Sequence, residues 1–167
     1  LTLAAQYVQE GRAIGLKSGR PHYEVSEKIL ALSNQVLTHG FTLAADESCA
    51  IQVHAETGPC EDMITMAQKA GLNPCRVIKH FASPDTPLSA SIIAKQEQIP
   101  ELCRQKRTFT LESDYMDENS RPGAVIGPKS VPRFTNRYLE QGHITEEDVY
   151  RIHVESPKKF YGIDITI

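Results

Sequence analysis

Apolar residues change period repeatedly along this chain, and the changes mark out its elements. Residues 1–11 (LTLAAQYVQEG) put Leu3, Ala4, Tyr7 and Val8 on one helical face, and Gly11 can end the turn. Arg12 to Lys17 (RAIGLK) reads as a short strand, closed by a polar loop with Gly19 and Pro21. Ser26 to Glu47 is the longest helical pattern. Ser26 caps it, Glu27 suits its first turn, and Ile29, Leu32, Val36, Leu37, Phe41 and Leu43 recur at helical spacing. Cys49 to His54 (CAIQVH) is a second strand. Thr57-Gly58-Pro59 opens a helix that runs through Met63, Ile64 and Ala67 to Gly71.

The alternation continues. Arg76 to His80 (RVIKH) is a third strand and Leu88 to Ser91 a weaker fourth. Ala94 to Lys106 reads as helix, with Pro100 starting or kinking it. Thr108 to Glu112 (TFTLE) is a fifth strand, and a long loop, Asp114 to Lys129, follows. The end is helical: Thr145 with Asp148 forms a capping-box pattern, Ile144 can staple to Val149, and Pro157 can open a last turn stopping near Gly162. Strand–helix alternation predicts α/β with a parallel sheet of βαβ units. An open doubly wound sheet and a closed eight-stranded barrel both fit it.

The totals narrow the function classes. The 167 residues make one domain, 40% hydrophobic and 23% charged, with a net charge of −3. No basic surface therefore announces a long nucleic-acid duplex. No run approaches the ~18 apolar residues of a membrane span, and no signal-peptide pattern leads the chain. Cys49, Cys60, Cys75 and Cys103 form no C-x-x-C pair and read as buried free thiols in a reducing compartment. The expected location is cytoplasmic. No Gly-rich phosphate loop is present.

In a parallel barrel, chemistry sits at the C-terminal strand ends. Those ends carry Lys17, His54, His80 and the run Glu112-Ser113-Asp114. Two imidazoles and a carboxylate at three strand ends suit a borderline divalent cation, and the carboxylate can take a proton from water. Hydrogen-bonded structural histidines are the alternative. His39 and His143 read as surface residues and His153 as structural.

At these ends the sequence resembles a known family. AIGLKSGRPHY, QVHAETG, VIKHF, LESDY and EEDVYRIHVESPKKFYGI follow, in order, the later motifs of the TatD-type metal-dependent hydrolases, in particular their archaeal branch. The resemblance implies a partial (β/α)8 TIM barrel with outer helices, its five strands corresponding roughly to the fourth to the eighth. A full barrel needs about 250 residues, and the shortfall of about 80 matches three βα units. Residues 1–167 would then be a single domain, the C-terminal part of the barrel. Its open edges predict dimers, aggregation or completion by a further segment.

The implied metal residues are Lys17, His54, His80 and Asp114, with Asp114 as catalytic base, serving one or two divalent ions (Zn, Mn or Mg). Arg20, His22 and Lys79 are the expected substrate-binding residues, Arg20 first among cations that also include Lys129 and Arg133. The implied reaction is hydrolysis of a phosphoester, in a small molecule or a nucleic acid. Amide or lactone hydrolysis is the neighbouring possibility, and a non-catalytic fragment is another. Two departures stand out. The family's H-x-H pair does not occur here, and Lys17 stands where a bridging glutamate belongs. An ammonium has no lone pair, so Lys17 could serve metals only as a neutral amine or as a carbamate formed with CO₂.

Overall fold

The computed structural model describes residues 1–55, 59–115 and 126–166. Twelve α-helices and β-strands are described there. They are α1 (Thr2–Gln9), β1 (Gly15–Gly19), α2 (Glu27–Asp46), β2 (Ala50–His54), α3 (Asp62–Lys69) and β3 (Val77–Lys79). There follow β4 (Ser89–Ile93), α4 (Ile99–Arg104), β5 (Phe109–Glu112), α5 (Ser130–Glu140), α6 (Glu146–Tyr150) and α7 (Ser156–Tyr161).

All five strands are parallel and pair in chain order, β1-β2-β3-β4-β5. A doubly wound sheet would reverse its order at a switch point. Sequential order, with each connection crossing the same way, instead places the helices on one face and bends the sheet towards a barrel. The fold is α/β, a partial (β/α)8 TIM barrel.

The pleat sorts side chains between two faces. Leu16, Ile51, Val53 and Val77 face outward and pack with Leu37, Phe41 and Ala44 of α2 and Met63 and Ala67 of α3. Ala90, Ile92 and Phe109 do the same against Ile99 and Leu102 of α4, Ile144 and Ile152. Losing a fully buried ring such as Phe41 would cost ~3–5 kcal/mol. The inner face is divided along the strands. At its N-terminal end Phe160 of α7 covers Ala50 and Ile78, and Gln52 Nε2 donates to Tyr161 Oη at 2.9 Å. Burial raises the Tyr161 phenol above its ordinary value, so it stays neutral there. The C-terminal end of the inner face is left to polar side chains.

Several boundaries differ from the pattern-based expectation. β1 runs on to Gly19, so Lys17 lies mid-strand rather than at the strand end. Ser18 and Gly19 carry no apolar signal, but they pair with Val53 and His54. A Cβ on Gly19 would lie 2.5 Å from the His54 carbonyl oxygen, so the close approach itself requires glycine. α3 starts at Asp62, three residues past Pro59, and α4 starts only at Ile99. Half of the expected core stripe of α2 faces out: Ile29, Leu32 and Val36 are exposed while Leu37 and Phe41 are fully buried. The capping box is present, with Thr145 Oγ1 accepting from Asp148 N–H and the Asp148 carboxylate accepting from Thr145 N–H. Gly162 ends α7 in the left-handed conformation. Most of the expected Asp114–Lys129 loop, and the Thr57-Gly58 helix opening, lie outside the described residues. No helix among those described is long and apolar enough to cross a membrane.

Candidate metal centre

Residues of the inner face share one alternation. Lys17 pairs with Gln52, Gly19 with His54, Gln52 with Ile78, Ser91 with Thr110, and Ile93 with Glu112. Lys17, Gln52, His54, Ile78, His80, Ser91 and Glu112 therefore face the same way. Three imidazoles stand in a row over the upper end. The His22 and His54 rings are 5.4 Å apart and the His54 and His80 rings 5.6 Å, centroid to centroid.

His80 follows β3 directly, its N–H bonded to the Val53 carbonyl at 3.1 Å. The ring is fixed from both sides. Nδ1 lies 3.0 Å from Glu112 Oε2, and Nε2 lies 3.1 Å from Asp114 Oδ1. Glu112 reaches across β4 to do this. Its Oε2 also accepts from Ser91 Oγ at 2.6 Å, and its Oε1 from the Phe81 N–H at 2.7 Å. A carboxylate has no proton to give, so Nδ1 carries the hydrogen in that bond. Nε2 faces a second carboxylate, Asp114, which has no proton to give either, so its lone pair is presented only to a cation lying between them. That is the orientation a carboxylate–histidine pair gives a metal-binding imidazole.

Two residues here hold left-handed backbone, Phe81 (φ 52°) and Asp114 (φ 46°). Aspartate tolerates that region and phenylalanine does so at a cost. Glu112 stabilises the Phe81 turn through its N–H, so one side chain fixes both the ring and the loop that follows it.

The donor chemistry fits a divalent cation. Two adjacent ligands each ~2.1 Å from an ion, at about a right angle, stand ~3 Å apart, and His80 Nε2 and Asp114 Oδ1 are 3.1 Å apart. Among the described residues no three His, Cys, Asp or Glu side chains converge closely enough to hold an ion. The pair is thus the centre of the site and His54 its neighbour.

The remaining sequence-derived candidates are spread around this pair. Lys17 is on the same face, one layer below His54, and exposed at the β1 edge. His22 is in the imidazole row. Arg20 and Lys79 do not present their charges to that row. Arg20 is buried and donates twice to Asp62, at 2.7 Å each, to Asn34 Oδ1 at 3.2 Å, and to the Pro59 carbonyl. Its hydrogen bonds hold the Asp62 carboxyl below the ordinary carboxylate range. Lys79 pairs with Val53 on the helix-facing side and is buried there. Lys129 and Arg133 begin the α5 region, and both are exposed. Glu112 and Ser91 went unassigned in the sequence. The signal for Glu112 was its period-two relation to Thr110 at the end of a strand, two residues before Asp114.

Fold and cluster together describe an α/β-barrel chain with imidazoles and carboxylates gathered at its strand ends. The chain belongs to the TatD related DNase family, which it matches over residues 2–162. It is 38% identical over 158 residues to the uncharacterized protein MJ1127 of Methanocaldococcus jannaschii. That match covers 89% of this chain and 56% of the relative, so the chain spans about half the length of the curated protein it matches. No solved structure matches.

Proposed function

We propose that this chain supplies the C-terminal half of a metal-dependent phosphoester hydrolase acting on nucleic acid. The observation that carries this reading is the clamped imidazole: His80 between Glu112 and Asp114, beside His54, at the C-terminal ends of parallel strands. Family membership supports the reaction class.

His54, His80 and Asp114 would hold one or two divalent ions, with Zn, Mn and Mg as the candidates. Such an ion, when bound, lowers the pKa of water and neutralises phosphate charge. Glu112 keeps the His80 hydrogen on Nδ1 and Nε2 turned inward. Asp114, held in its left-handed turn, would take the proton of an attacking water. His22 lies one ring beyond His54, where a substrate phosphate's other substituents would pass. Lys17 is the proposed further metal residue, as a carbamate, which would supply two anionic oxygens in place of an ammonium. The strands that complete the barrel in the full-length protein would pair with the β1 edge, beside exposed Ile14.

The test uses the full-length protein with Mn²⁺, Mg²⁺ or Zn²⁺. It is expected to cleave a single-stranded DNA oligonucleotide and to leave simple amides and lactones intact. Turnover of an amide or lactone without phosphodiester cleavage would move the assignment to the neighbouring reaction class. No turnover of either would leave a binding or structural role. For Lys17, native mass spectrometry after growth with bicarbonate should show one added carboxylate. Lys17→Glu should keep its metal without bicarbonate, and Lys17→Ala should lose it. Full metal occupancy in Lys17→Ala ends that part of the proposal.

A further inference from the structure

Beside the imidazole row lies a cleft of about 640 Å³ whose chemistry is unlike that of the row itself. His22 belongs to both. On the far side of His22 stands Tyr23, its ring 5.5 Å away and edge-on, and 68% exposed. A large aromatic left this open beside a cleft offers a flat stacking surface.

The polar groups of the cleft exclude a phosphate. Its charged lining is Glu24, Glu61 and Asp62 against one cation, and that cation, Arg20, is already bonded within the protein. The excess of carboxylates repels an anion. What remains suits a neutral, flat, hydrogen-bonding group. Arg20 orients both neighbours. Asn34 must turn its Oδ1 to the guanidinium at 3.2 Å. Its amide nitrogen, two N–H donors, therefore faces away and makes no bond among the described residues. Asp62 accepts from the same Arg20 Nη1 at 2.7 Å, and its side chain is still half exposed. A donor and an acceptor thus stand side by side, tied to a single nitrogen, next to an open aromatic ring.

We propose that this cleft is a nucleobase subsite: one base of the substrate strand stacks on Tyr23 and sets its edge on Asn34 and Asp62. Every nucleobase presents a donor next to an acceptor on its Watson–Crick edge, which is what Asp62 and Asn34 complement. The inference rests on the nucleic-acid reading given above. Two ring steps, 5.4 and 5.5 Å, separate His54 from Tyr23. A nucleotide bridges such a span, since its sugar lies between phosphate and base.

The test compares two decamers with the full-length protein and Mn²⁺: ordinary single-stranded DNA, and the same backbone made entirely of abasic residues. A stacked base contributes ~1–3 kcal/mol, so the wild-type KM should be about ten-fold higher on the abasic strand. Tyr23→Ala should collapse that ratio towards one. Asn34→Leu should reduce it by a smaller factor. A ratio unchanged in Tyr23→Ala overturns the subsite even though cleavage itself persists. If neither decamer is cleaved, the hydrolase reading has failed, and the cleft is then judged by titrating adenosine, which carries no phosphate. Saturable binding by wild-type protein that Tyr23→Ala removes upholds the subsite, and no binding overturns it.

Discussion

Two imidazoles of this chain sit in opposite surroundings. His80, at the end of β3, is wedged between carboxylates, Glu112 on one nitrogen and Asp114 on the other. His153, in the π-helical turn Arg151–Glu155, lies against Thr135 of α5, its Nε2 3.1 Å from the threonine oxygen. The Thr135 hydroxyl spends its one hydrogen on the Val131 carbonyl at 3.0 Å. It can therefore only accept from His153, which fixes a hydrogen on Nε2 of that ring. On the reading proposed above, the carboxylates around His80 would hold a cation between ring and Asp114. The surroundings of His153 reject one, and burial lowers its pKa. Both rings have one nitrogen fixed by a hydrogen bond, but only His80 has charge waiting at the other. That separates the proposed ligand from a structural histidine more sharply than strand position does.

The contrast breaks most visibly at Asp114. In the full-length protein Asp114→Asn removes the charge and the proton acceptor together. The turnover number should fall by ~10²–10⁴-fold with the circular dichroism spectrum unchanged. Near-normal turnover would take Asp114 out of the reaction. Glu112→Gln should come next. It keeps the shape but lets an N–H face His80 Nδ1, so the ring loses its fixed tautomer. Metal affinity should drop by ~10–100-fold, measured by competition with a chelating dye, while the urea midpoint moves little. A large stability loss with unchanged affinity would make Glu112 a fold residue only.

The corresponding change at the other ring should act on stability alone. Thr135→Val leaves His153 Nε2–H without its acceptor, at a cost of about 1 kcal/mol. Metal affinity should be unaffected. An effect on metal binding would mean the two regions are coupled, and the contrast between them would fail.

Much of the architecture was legible because strands and helices here differ in period and are separated by turn residues. All five strands, their parallel sense and the capping box at Thr145 follow from local pattern. What was not legible depends on close approach or distance in sequence. β1 reaches Gly19 only because its backbone pairs with His54, a contact that apolar periodicity does not register. The outward stripe of α2 carries the same apolar residues as the inward one, so periodicity could not choose between Ile29 and Phe41. Among candidate site residues, His54, His80 and Asp114 were readable as strand ends. Glu112 was hidden because it reaches His80 across the intervening β4. Arg20 looked like a free cation because Asp62, 42 residues away, is nowhere near it in sequence.

The smallest effect is a pH dependence at His153. Its folded pKa lies below the ordinary imidazole value of 6.5 because burial opposes the charged form. Above that value both folded and unfolded chains carry neutral His153, and its contribution is fully present. As pH falls through about 6.5, the unfolded chain binds a proton that the folded chain resists, so stability declines. The charged ring would also need an acceptor at Nδ1, and it makes no such bond among the described residues. His153→Gln should keep the donor to Thr135 Oγ1 while removing the titration. Urea midpoints taken from pH 8 to pH 5 should then fall less steeply in His153→Gln than in the parent chain. Asp62, held low by Arg20, titrates below this window, and the difference between the two proteins isolates the His153 contribution. Parallel slopes would show that His153 accepts its proton in place, and the environment that distinguishes it from His80 would not be one that excludes charge.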